Sequence, residues 1–430
     1  MKLAPEKISE LSPERRNSIL HRSMEDISDV YEHVRDILNN VRQQGDGPSL
    51  DWHRELKPDL TPDDFRVQPE EIKAAYAEVP SNIVDALQKA AVNIHTFHAA
   101  QLEHPMWQME VAPGIWAGRK HTPLDAVGCY VPGMRAVYPS TALMTVLPAQ
   151  VAGVRRVVVT TPPDKGLKAN PYTLVACDIA GVSEIYKLGG PWAVGSLAYG
   201  TPAVPRVDKI VGPGNKYVTA AKMLVFGVVD IDSPAGPSEA LLLADSTANP
   251  RWLALDFMSQ VEHDPDSAAV LVTDNPELAR AVCDEIERIY PKLPRKDILD
   301  QVGSYCAVLV AGDMAEAVDF ANEYAAEHLQ IVTQDPFLTL QEIRHAGSIF
   351  LGPWAPVPVG DYASGTNHVL PTGQGARAFS GLSVDDFIKK PTFQYLSRKG
   401  LASLAGTVNT LATAEGLPIH AMTVNARLED

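Results

Sequence analysis

VDKIVGPGNKYVTAAKMLVFG (Val207–Gly227) passes from a short apolar β-type run, through a Gly-Pro-Gly-Asn turn, into an amphipathic helical pattern. A strand that feeds a helix through so tight a turn is a βα unit. Parallel strands need such crossovers, so one unit predicts neighbours on either side. The alternation does continue outward. Upstream lie AVGCYVP (126–132, strand), ALMTVLPAQVAGV (142–154, helix), RRVVVTTPP (155–163, strand), TLVACDIAGV (173–182, helix) and EIYKLGG (184–190, strand). Downstream a second set begins with EALLLAD (239–245). The helix PRWLALDFMSQVEH, the strand AAVLVTD, the helix PELARAVCDEIERI and the apolar runs AVLVAG and GSIFLG follow. Two α/β units with largely parallel sheets, meeting at a cleft, are expected.

The flanks read differently. Residues 1 to about 26 form a polar helical lead. DISDVYEHVRDILNNVRQQGD (26–46) sets Ile27, Val30, Val34, Ile37, Leu38 and Val41 on one helical face, closed by Gly45. The helical pattern runs to about Leu102, and a helical tail follows Ser383 through TFQYLSRKGLASLAGTVNTLATAEG.

The bulk properties exclude several classes. With 430 residues and 45% apolar content there is material for a large core, and a net charge of −16 opposes nucleic acid and anionic membranes. Cys129, Cys177, Cys283 and Cys306 form no CxxC pair, so they read as reduced, buried thiols of a cytoplasmic protein. The most apolar tract, Ser140–Val154, is too short and too interrupted to span a bilayer. There is no GxSxG, P-loop or GxGxxG.

Candidate chemistry gathers at a few places. SQVEHDPD (259–266) sets Gln260 and His263 three apart near a helix end, where they fit either a solvated terminus or half of a metal site. GDYASGTNHVLPTG carries Asp361 and His368 in a Gly-rich loop, and AEGLPIHAM carries Glu415 and His420 at the end of the last helix. Two imidazoles, a carboxylate and an amide oxygen suit a borderline divalent ion such as zinc. AAEHLQ puts Glu327 beside His328, either an ordinary polar pair or a proton-handling one. The turn at Gly212–Asn215 fits a phosphate cradle or a plain βα turn, and SPAGPSEA presents Ser238. His21, His33, His53, His95, His98, His104, His121 and His345 lack such company and read as surface or packing residues.

YVPGMRAVYPS, KIVGPGNKYV, AGPSEALLLAD, QVEHDPDS, AAEHLQI, GSIFLGPW, GDYASGTNHVLPT and AEGLPIHA together resemble the histidinol dehydrogenase family, in order and spacing from about Asp26 to Arg427. The resemblance implies a homodimeric enzyme that oxidises L-histidinol to L-histidine through the aldehyde, using two NAD and one zinc per subunit. Carried over by residue, it implies Gln260, His263, Asp361 and His420 as zinc ligands, the last reaching the other subunit's site. Glu327 and His328 fall on the catalytic pair, and Ser238, His368 and Glu415 on substrate contacts beside the metal ligands. Tyr130 and Asn215 fall on cofactor contacts. Trp192, after Pro191, stands where the family usually has a cofactor-binding Gln, and either stacks on NAD or reshapes the pocket. Met134 and Arg135 also depart from the family pattern; Arg135 either faces solvent or meets an anionic group.

The division expected is a helical extension (1–26), a discontinuous α/β domain (27–130 with 240–382), a second Rossmann-like domain (131–239) and a tail (383–430) that completes the partner's site. Two alternatives remain: a relative acting on another small polar alcohol such as sulfopropanediol, and a zinc hydrolase with Glu327 as base. Glu415 favours the cationic amino alcohol over a sulfonate.

Overall fold

A computed structural model of the chain describes residues 2–22, 27–133, 137–302 and 305–429; Met134 and Arg135 lie outside them. Two all-parallel sheets dominate. The first, of five strands, has Ala126–Tyr130 at its centre. Arg156–Thr160 and then Ile185–Tyr186 extend it on one side, and Lys209–Val211 and then Asp230–Ile231 on the other. The second has six strands in the order Pro5–Lys7, Ala307–Val310, Ala268–Thr273, Glu239–Ala244, His328–Val332, Ser348–Leu351. Both sheets are doubly wound: the chain builds outward from a first strand, then returns to that strand's other flank.

Burial on both faces explains the near-continuous apolar strands. Every residue of Glu239–Ala244 and of Ala268–Thr273 is buried. Full burial of each large aliphatic side chain contributes about 1.5–3 kcal/mol. Leu143, Val175 and Ile94 cover one face of the first sheet, while Val34, Leu38 and Leu197 cover the other. Phe257, Val282 and Ile286 pack on one face of the second sheet, and Ile19, Phe320 and Tyr324 on the other.

These contacts divide the chain differently from the sequence expectation. The helices Tyr31–Gln44 and Ser81–Ala99 pack on the first sheet together with Ala126–Tyr130, not on the second sheet, and from 240–382 Val369 and Leu382 reach that same core. The lead within 1–26 is not a separate helical extension. Pro5–Lys7 is an edge strand of the second sheet, and the helix Pro13–His21 buries Ile19 and Leu20 against it.

A third element stands apart. Met106–Ala112, Ile115–Lys120 and Thr392–Leu396 form an antiparallel three-stranded sheet, so the start of the expected helical tail includes a strand. The helices Arg398–Ala414 and Pro418–Asn425 follow, packed on each other, and the first of them also on that strand. This arm exposes apolar side chains, among them Met109 at 54% and Ile419 at 71%. No helix of the described residues is long and apolar enough to cross a membrane.

Candidate active site

In the first sheet the winding reverses between Ala126–Tyr130 and Lys209–Val211, and in doubly wound sheets the ligand crevice lies at such a switch point, here beyond Tyr130 and Val211. Gly212 turns there with φ +117°, and a Cβ on it would stand 2.1 Å from the Tyr130 carbonyl oxygen, so only glycine fits. Asp232 Oδ2 accepts the Gly212 N–H at 2.6 Å, and Lys222 Nζ donates to the Gly212 carbonyl at 2.9 Å. Lys222 and Asp232 are themselves a buried ion pair. The Asn215 side chain accepts from the Tyr217 and Val218 amides, capping the helix Lys216–Val225. Those two amides are therefore not open to a phosphate, which narrows the cradle expected from sequence. Buried Tyr130 accepts the Gly190 N–H through its hydroxyl at 3.1 Å. Trp192 stacks on Trp52 at 4.2 Å, so one of its faces is already covered.

The chain leaves the first sheet after Ile231 and enters the second at Glu239, so the carboxyl edge of one sheet leads to the amino edge of the other. The link carries Ser238 and is fastened to the first unit where Thr219 Oγ1 donates to the Ala235 carbonyl at 3.0 Å. Across the same gap Asn367 Nδ2 donates to the Met144 carbonyl at 2.7 Å. His368 donates from Nδ1 to the Asp361 carbonyl at 2.8 Å and meets Thr141 Oγ1 through Nε2 at 3.0 Å.

Glu327 and His328 lie at this amino edge. They do not share a helix: Glu327 immediately precedes the strand His328–Val332, and both are buried, at 5% exposure each. Glu239 N–H donates to Glu327 Oε2 at 2.8 Å, and Glu327 N–H donates to Glu239 Oε1 at 3.1 Å. His328 Nδ1 lies 3.2 Å from the Glu239 carbonyl, which can only accept. The Nδ1 proton is thereby fixed, and Nε2 is the basic nitrogen of the neutral ring.

Nε2 stands 3.3 Å from Asp361 Oδ1, in ion-pair range but without hydrogen-bond alignment. Burial alone would lower the His328 pKa, but the carboxylates of Glu327 and Asp361 outweigh it and hold the ring well above the usual histidine range. Burial would likewise raise Asp361, yet His328, with help from His368 and His263, holds its carboxyl below the usual value. Burial lowers His368.

Of the four metal donors expected from the sequence, Gln260 is buried, Asp361 lies beside His328, and His263 follows the helix that carries Gln260. Gln260 lies in the last turn of the helix Pro250–Val261, and His263 follows two residues beyond its end. Asp361 lies in the last turn of the helix Val357–Tyr362, not in the loop expected. Gln260 is 2% exposed, and its Nε2 has no partner. Turned over, the same carboxamide presents an oxygen to a cation. Glu415 and His420 are not brought to this place. Both are exposed on the C-terminal arm, Glu415 capping one helix and His420 within the next. Among the described residues no three His, Cys, Asp or Glu side chains already surround one point.

Sequence reasoning missed Arg22, Glu239 and Thr141. A lone carboxylate opening the apolar run EALLLAD is the signal that could have exposed Glu239, since a fully buried charge requires a partner. The eight remaining histidines carried no role, and two of them are packing residues: His53 and His98 are buried with Nδ1 bonded to the Ser49 and Ile94 carbonyls. All four cysteines are free and buried, and burial pushes the Cys129 thiol up to about 12.

Two doubly wound sheets, with a buried carboxylate–imidazole pair at the edge where the chain passes from one to the other, are the architecture of an α/β enzyme equipped for proton transfer. The family model described as histidinol dehydrogenase matches residues 20–428, and the chain belongs to that family of oxidoreductases. It is 49% identical over 428 residues to the histidinol dehydrogenase of Methanothermobacter thermautotrophicus, covering 99% of each chain. Against that of Aquifex aeolicus identity is 44%, with 96% of each chain covered. The crystal structure of histidinol dehydrogenase from Elizabethkingia anophelis superposes with a TM-score of 0.92 at 37% identity, covering 97% of this chain and 96% of that one.

Proposed function

We propose that this chain oxidises L-histidinol to L-histidine through the aldehyde, as the last steps of histidine biosynthesis, with two NAD consumed and one zinc held per subunit. The observation that carries this reading is the buried Glu327–His328 pair, with Nδ1 fixed by Glu239 and Nε2 turned toward Asp361. When bound, zinc would orient the amino alcohol and NAD would accept the hydride. Gln260, His263 and Asp361 supply nitrogen and oxygen donors suited to zinc, and the unpartnered carboxamide of Gln260 supports their assignment.

In its neutral form, His328 takes the carbinol proton at Nε2. Glu327 then draws a proton from the water that adds to the aldehyde, and His328 serves again in the second oxidation. Ser238 and His368 contact the substrate, and Tyr130, Trp192 and Asn215 border the nicotinamide cofactor in the crevice beyond Tyr130 and Val211.

The site is completed by a second copy. His420 as fourth ligand and Glu415 as partner of the substrate's ammonium ride on an arm that packs on itself and bares Leu417, Ile419 and Met422, which supports a homodimer. Four buried free thiols suit a reducing cytoplasm.

Zinc-loaded protein should form NADH with histidinol and yield two NADH per histidine. A sulfonated diol used in its place would redirect the substrate assignment. Zinc-dependent hydrolysis without NAD turnover would replace the reading with the hydrolase.

A further inference from the structure

Behind the pair lies a buried ion pair that the reaction itself does not use. Arg22 and Glu239 have side chains 2% and 3% exposed, joined by two guanidinium–carboxylate contacts. The guanidinium also donates to the Leu20 and Tyr324 carbonyls, at 2.9 and 3.0 Å, and to that of Ala325 at 3.4 Å. It lies over the Tyr324 ring, 3.8 Å from the centroid.

Three features make this more than core filling. The parallel ladder between Glu239–Ala244 and His328–Val332 begins at Ala240 and His328, so Glu327 lies just outside it. The Glu239 carboxylate reaches across to the Glu327 N–H and extends the ladder by one residue. Ala325, two residues before Glu327, is held in the left-handed region at φ 50°, unfavourable by about 1–2 kcal/mol for a residue with a Cβ. Arg22 bonds to the carbonyls on both peptides of that turn.

We infer that Arg22 and Glu239 are positioning residues: clamped together, they fix the Tyr324–Glu327 turn and thereby aim Glu327 and His328 into the cleft. This deepens the proposed function and rests on it. The N-terminal segment that carries Arg22 thus serves the reaction without touching substrate.

The test compares Arg22→Met/Glu239→Leu with Arg22→Met/Glu239→Gln. Neither double variant leaves a buried unpaired charge. Only the second keeps an oxygen for the Glu327 N–H. Misaiming a reacting group by about an ångström costs up to about a hundredfold, so the Leu variant should lose about tenfold to a hundredfold in kcat per folded molecule, with KM for histidinol nearly unchanged. The Gln variant should recover most of that loss. Fraction folded comes from thermal melts by circular dichroism. Should the double variants not fold, Glu239→Gln alone serves: it should melt earlier yet keep kcat per folded molecule within about threefold, since the oxygen facing the Glu327 amide remains. A Leu variant with full kcat per folded molecule, or a Gln variant, single or double, that loses about tenfold or more in kcat per folded molecule, would overturn the positioning role while leaving the oxidation of histidinol intact. Absence of NADH formation by the unsubstituted protein would instead remove the functional reading, and the positioning role with it.

Discussion

Replacing Lys222 by methionine should unfold the crevice loop from within. Lys222 and Asp232 are 3% exposed at their side chains and hold both polar groups of Gly212, the N–H through Asp232 and the carbonyl through Lys222. Methionine fills the lysine's volume but leaves Asp232 as a buried carboxylate with the Gly212 amide and the more distant charge of Lys209 for support. Breaking one side of a buried pair costs about 3–5 kcal/mol. The orphaned Gly212 carbonyl would add about 1–3 kcal/mol if it found no water. Because the two losses share one loop they are not additive, and the expected total is about 3–5 kcal/mol. Urea denaturation followed by circular dichroism measures it. Lys222→Met/Asp232→Asn, whose amide oxygen still accepts the Gly212 N–H, should regain about 2 kcal/mol or more, since no buried charge is stranded. KM for NAD should rise in the single variant and fall back in the double. A single variant within about 1 kcal/mol of the unsubstituted protein, or a double variant no better than the single, would refute the clamp.

Three further outcomes are expected. His328→Asn should lower turnover of both histidinol and histidinaldehyde by about 10²–10⁴-fold while bound zinc, measured by atomic absorption, is unchanged. Glu327→Gln should slow oxidation of supplied histidinaldehyde more than that of histidinol, because only the second half consumes water; equal losses in single-turnover experiments would remove the water-activating role. Burial holds His98 below its ordinary 6.5, so the unfolded chain takes up a proton that the folded one refuses. Its contribution is therefore complete above about pH 6.5 and is lost as pH falls through the lowered value, a slope in urea midpoints that His98→Gln should flatten.

The parallel strands were legible because their burial on both faces writes continuous apolar runs, and the Gly212 turn because glycine marks the close approach to Tyr130. What escaped depends on pairing between distant segments. Pro5–Lys7 is short, polar and at an edge, and only its partner Ala307–Val310 makes it a strand. Thr392–Leu396 pairs with Ile115–Lys120, far back in the chain, and has no fully buried residue to betray it. Glu327 and His328 were found by type but assigned to no strand, because HLQIV is too short for its period to separate strand from helix. Arg22 carries no local signal at all; its meaning lies in Glu239, remote in sequence.

In the proposed shared site, Gln260, His263 and Asp361 of one chain are completed by His420 of another. Two inactive variants, Gln260→Ala and His420→Asn, test it when mixed after reversible dissociation. With random exchange, half the dimers are mixed, and each mixed dimer has one site with both defects and one with neither. Histidinol-dependent NADH formation should therefore return to about a quarter of the unsubstituted rate, with zinc restored in proportion. A mixture that stays at the level of its inactive parents, with subunit exchange demonstrated by mass spectrometry, would contradict the shared site.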